Sequence, residues 1–134
     1  MASSAELELL APRADVWAFL AEPYHLADWW PGVTGVQPDR RGFATGARWK
    51  VLINTKNPLL GTRTAETLLL IREIAVYERW SWHLLLSKMD VEITLRATAP
   101  DRTLVLINTN SRRRDLSRTA VRRLYDLCQT ASRV

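Results

Sequence analysis

Cysteine, histidine and glycine are scarce in this chain of 134 residues, and long apolar runs are absent. The one cysteine, Cys128, excludes an internal disulfide and suits a reducing compartment, so a cytoplasmic location is expected. Glu6 and Glu8 stand where a signal peptide would carry basic residues and then an apolar run, so no export signal is expected. The stretch Leu68-Leu69-Leu70-Ile71 is the length of a strand, far from the ~20 residues needed to cross a bilayer. The five glycines are scattered at turns and build no phosphate-cradling loop. His25, His83 and Cys128 lack the spacing of metal ligands, and neither a His-Glu-x-x-His nor a Cys-x-x-Cys pattern occurs, so no metal and no cofactor is expected. Gly-x-Ser-x-Gly is missing as well, and no serine has a recognisable catalytic partner.

What is abundant is apolar and aromatic material. The apolar fraction is 47%, enough for a core, and a chain of this length fits one domain spanning residues 1–134. Six tryptophans are a high count, since each buries about 150–250 Å². The formal charge of +5 is localised: residues 112–123 hold six arginines against Asp115 alone, which leaves the rest of the chain balanced.

Periodicity orders these residues into elements. Residues 5–11 alternate weakly as a first strand. Pro12 and Pro23 each suit the first turn of a short helix, where a missing N–H costs nothing. Val16, Trp17 and Leu20 form the buried stripe of the first helix, and Leu26, Trp29 and Trp30 that of the second. Pro31-Gly32 ends the second helix, and a weak strand follows over 33–38. From Gly46 the period becomes two. Trp49, Val51 and Ile53 define one strand, and residues 62–73 a second. Trp80, Trp82, Leu84 and Leu86 define a third, Met89, Val91, Ile93 and Leu95 a fourth, and 104–109 the last. Residues 114–131 form an amphipathic helix, with Leu116, Ala120, Val121, Leu124, Tyr125, Leu127, Cys128 and Ala131 in one half of the wheel. The order gives an α+β helix-grip fold. A curved antiparallel sheet of about six or seven strands surrounds a long C-terminal helix, with two short helices after the first strand.

A two-residue turn at Ser87-Lys88 would pair Leu86 with Met89 and place the apolar residues of both strands on one face. His83 then points away from the interior. Strand 62–73 admits two registers. One turns Ala65, Thr67, Leu69 and Ile71 inward; the other turns Glu66, Leu68, Leu70 and Arg72 inward, where the charges would need each other or a polar ligand.

The opening strand and helices, with Val16-Trp17, Trp29-Trp30-Pro31-Gly32-Val33 and later Gly46-Ala47-Arg48-Trp49, resemble the START-like (SRPBCC) superfamily of polyketide cyclase/dehydratase and lipid-transport proteins. The resemblance spans nearly the whole chain in element order and implies a cavity. The expected function is binding of a small hydrophobic or aromatic ligand, of lipid, quinone or polyketide type, without catalysis. Its expected lining is Trp29, Trp30, Trp49, Val51, Trp80, Trp82, Leu84, Val91, Ile93 and Leu124. The first alternative is a polyketide cyclase/dehydratase-like enzyme, with Glu66 and Arg72 as its acid–base candidates in the even-numbered register and His83 as a third. The second is a protein- or membrane-interaction module built on the basic helix. A solvated polar face is the default reading of that helix, with contact of Arg118 and Arg122 to anionic headgroups behind it. Nucleic acid ranks last, because no aromatic residues are interleaved with the arginines. Monomer and homodimer both stay open.

Overall fold

Proline and alternation place the elements much as the sequence predicts. In a computed structural model that describes residues 3–57, 59–111 and 113–129, β1 (Ser3–Leu9) leads past Pro12 into α1 (Arg13–Ala21). Pro23 opens a 3-10 turn (Pro23–His25) that continues as α2 (Leu26–Trp29). Then follow β2 (Val33–Gln37), β3 (Arg48–Asn57), β4 (Gly61–Ala75), β5 (Arg79–Leu84), β6 (Met89–Ala99), β7 (Arg102–Thr109) and α3 (Arg114–Leu127). The strands form one curved antiparallel sheet in the order β1-β7-β6-β5-β4-β3-β2. β2 to β7 meander, and β1 closes on β7 from the far end of the chain. Among the described residues no helix is long and apolar enough to cross a membrane.

One face of the sheet is apolar along every long strand. Trp49 and Val51 of β3, Leu69 and Ile71 of β4, Trp80, Trp82 and Leu84 of β5, Val91, Ile93 and Leu95 of β6, and Val105 and Ile107 of β7 are all buried. Opposite pairs such as Trp80 with Ile93 and Trp82 with Val91 come from adjacent strands on that face. Thr103 ends the β7 row, its hydroxyl donating to the Ala11 carbonyl at 2.8 Å, so the buried chain entering α1 is tied to the sheet. α3 lays Leu116, Ala120, Val121, Leu124 and Cys128 against the core and packs on β1, β7 and α2.

One open choice is decided and two expectations change in detail. β4 adopts the odd-numbered register, with Thr67, Leu69 and Ile71 inward, so Glu66 and Arg72 are exposed on the outer face. The choice follows from cost: burying two charges loses to burying Leu69 and Ile71. The β5–β6 connection has four residues, not two, because Leu84 rather than Leu86 pairs with Met89. Leu85 and Leu86 instead donate backbone N–H bonds to the Leu68 carbonyl and the Thr67 hydroxyl of β4. The slip is two residues, an even number, so the inward faces and the outward direction of His83 survive it. Leu127, in the last turn of α3, faces out, where Leu124 and Cys128 carry the contact with the core. Ala131 lies outside the described residues.

Candidate functional site

The inner face is filled at its centre by aromatic rings. Trp29, Trp49 and Trp80 have no exposed surface and Trp82 retains 1%. Trp80 and Trp82 lie 4.4 Å apart between ring centroids; Trp29 meets Trp82 at 5.9 Å and 77°, and Phe43 meets Trp80 at 4.9 Å and 70°. Such tilted and edge-on contacts bring the positive edge of one ring to the negative face of another. Trp49 donates its indole N–H to the Gly42 carbonyl at 2.7 Å. The indole N–H groups of Trp29, Trp80 and Trp82 have no acceptor among the described residues, although each ring packs against other aromatic rings.

Beyond this plug, at one end of the grip, lies a cleft of about 410 Å³. Its base is where the inner-face rows run out: Ile53 of β3, Leu84 of β5 and Met89 of β6, with Leu116 from the first turn of α3 opposite. Trp30 joins the cleft to the plug, lying edge-on to Trp29 at 5.7 Å and to Trp82 at 5.3 Å. Pro31-Gly32 turns the chain along the wall. Gly32 has φ +86°, a left-handed conformation in which its carbonyl accepts the Asn54 N–H at 2.8 Å.

The rim is polar and comes mostly from turns. Asn54 stands on β3, Ser87 and Lys88 in the β5–β6 turn, and Asn110, Ser111 and Arg113 at the junction of β7 with α3. Asn110 binds that junction to the β5–β6 turn. Its amide accepts the Asp90 N–H at 2.8 Å and donates to the Lys88 carbonyl at 3.2 Å. Arg113 donates to the Asp115 carboxylate at 3.3 Å, which holds that carboxyl below its ordinary range.

Of the lining nominated from sequence, Trp30 and Leu84 border this cleft. Trp29, Trp49, Val51, Trp80, Trp82, Val91, Ile93 and Leu124 sit in the closed core around it. The three acid–base candidates lie on the other side of the sheet. Glu66 and Arg72 share the outer face of β4, six residues or about 20 Å apart, too far to act together. His83 is bonded through Nδ1 to Asp90 at 2.7 Å, and Arg72 reaches the same carboxylate at 3.9 Å. His25 bonds the Phe19 carbonyl at 2.8 Å and stacks on the Phe19 ring, a local helix contact. Arg118 and Arg122 are exposed on the outer side of α3. Ile53, Met89 and Leu116 belong to the predicted apolar rows, so their place in the lining was readable; the polar rim residues carried no such signal.

The architecture is that of START-like proteins. A START superfamily protein from Mycobacterium smegmatis superposes with a TM-score of 0.65 at 12% identity, covering 99% of this chain and 96% of that one. A protein from Deinococcus radiodurans gives 0.70 at 15% identity over 96% and 95% of the two chains. One from Nitrosomonas europaea gives 0.69 at 17% over 96% and 94%. No protein-family model and no curated protein matches the sequence. The similarity is one of fold.

Proposed function

We propose that the whole chain acts as one binding domain, holding a small ligand with an apolar body in the cleft beside Trp30 and releasing it unchanged. The observation that carries this reading is the cleft itself, with its apolar base of Trp30, Ile53, Leu84, Met89 and Leu116 and its polar rim. Binding is favoured over catalysis because the described lining contains no carboxylate and no imidazole, the usual groups that move protons near neutral pH. The START-like fold, which closes a sheet around a helix and leaves one end open, supports the same reading. The buried thiol of Cys128 supports a cytoplasmic setting.

Octanoate and 1-octanol, followed by tryptophan fluorescence and calorimetry, test the proposal, since Trp30 lies at the cleft wall. At least one should bind saturably, and Ser87→Trp, which fills the mouth from an exposed turn, should abolish binding while leaving the melting temperature unchanged. Failure of both compounds to bind, or equal binding by Ser87→Trp, would overturn it.

A further inference from the structure

Resting on that reading, we infer that the ligand carries an anionic oxygen head of carboxylate type, which Lys88 and Arg113 hold at the mouth while its chain lies on Trp30 and Leu84. The lining is electrically one-sided: it has two cations and, among the described residues, no acid. The acids nearby already have partners. Asp90 belongs to the outer face, where one carboxylate oxygen takes the His83 and Arg72 contacts, and its other oxygen accepts from the Asn110 amide of the rim at 3.4 Å. Asp115 lies outside the lining and occupies one edge of the Arg113 guanidinium. Arginine has five N–H donors in a fork, so one such contact orients the group and leaves donors for a second oxyanion.

Lys88 is positioned rather than free to wander at its backbone. Its φ of 52° is one that non-glycine residues rarely adopt. The turn is held there from two sides, by the Lys88 N–H to the Leu85 carbonyl at 3.3 Å and by the Asn110 amide on the Lys88 carbonyl at 3.2 Å. The left-handed backbone at Lys88 fixes where its side chain leaves the turn on the lip of the cleft. The described ion pairs include none for its ammonium. Ser87 adds a neutral hydroxyl beside the two cations.

Size narrows the class. At about 30 Å³ per water-sized group, the cleft takes roughly a dozen non-hydrogen atoms, the size of a medium-chain carboxylate. A charged hydrogen bond is stronger than a neutral one by enough to give about a ten-fold preference for the acid over its alcohol.

The test compares octanoate, 1-octanol, octylamine and acetate on the wild-type chain and on Lys88→Gln/Arg113→Gln. Both positions are exposed, and melting curves should coincide. Octanoate should bind at least about ten-fold more tightly than octanol, octylamine more weakly than either, and acetate not measurably, since the head alone lacks the apolar contact. In the double variant octanoate should fall to the affinity of octanol while octanol stays unchanged, and added salt should weaken octanoate alone. Octanol binding as well as octanoate would overturn the anionic head and leave the binding proposal standing, and so would a preference that survives the double substitution. Tight binding of acetate would equally overturn it, marking a simple anion site. Silence from every compound would bring down both.

Discussion

Replacing Trp82 by alanine separates a packed plug from the wall of an open chamber. The ring is 1% exposed and touches Trp29, Trp30 and Trp80 at centroid distances of 5.9, 5.3 and 4.4 Å. Removing about 200 Å² of buried aromatic surface at ~25 cal/mol/Å² costs about 5 kcal/mol, and Trp→Ala substitutions in cores span about 3–5 kcal/mol. The indole N–H of Trp82 has no acceptor among the described residues, and deleting it returns about 1–3 kcal/mol. The expected net loss is therefore about 3 kcal/mol. In urea, at a slope of about 2 kcal/mol/M, the midpoint should fall by roughly 1.5 M. Trp82→Phe keeps the ring contacts and sheds the unpaired donor, so its loss should be about 1 kcal/mol or less. Far-ultraviolet circular dichroism is the suitable readout, because fluorescence changes with the tryptophan count. A loss below about 1 kcal/mol for Trp82→Ala would refute the packing argument, since only a ring facing open space gives up so little.

Three further substitutions or titrations probe the frame of the cleft. Gly32→Ala meets no atom closer than the Asn54 carbonyl at 4.0 Å, yet it must adopt φ +86°; a loss of about 1–2 kcal/mol is expected in thermal unfolding, and an unchanged melt would mean the turn relaxes freely. Thr103→Val should cost about 1–3 kcal/mol by orphaning the buried Ala11 carbonyl, whereas Thr103→Ser should restore most of it; equal losses would deny the hydrogen bond its role. Burial pushes the Cys128 thiol up to about 12. Its folded-state value lies above the unfolded one of about 8.5, so the contribution is intact below pH ~8.5 and is lost as pH rises toward 12, at up to ~1.4 kcal/mol per pH unit. Native protein at pH 8 should resist thiol labelling that unfolded protein undergoes at once, and rapid native labelling would contradict the burial.

The faces of the sheet were legible in the sequence because alternation survives errors of register that are even. Trp80, Trp82 and Leu84 still meet Val91 and Ile93 although the turn between them is two residues longer than Ser87-Lys88 alone. What escaped was the length of that turn, because Leu85 and Leu86 continue an apolar pattern while their N–H groups bond to the neighbouring strand β4 just past the end of β5. The register of β4 stayed open for a similar reason, since Leu68 to Ile71 is apolar on both faces and only the neighbouring strands decide it.

The cleft was harder to read than the fold, and the cause is volume. Tryptophan on an inward face signals burial, but whether five such rings line a space or fill it depends on how they pack against one another. Here Trp29, Trp49, Trp80 and Trp82 fill the centre, and the space that remains lies past Trp30, where the rows end. Apart from Asn54 of β3, the polar groups of this end site come from turns, because a strand end has only turns beyond it. Ser87, Lys88, Asn110 and Arg113 follow no period, and Lys88 even occupies a backbone conformation its residue type disfavours. The chemistry that would select a ligand therefore sits in the part of the chain where periodicity is silent. Hydrogen bonds such as Asn110 to Lys88, which join segments distant in sequence, set its geometry.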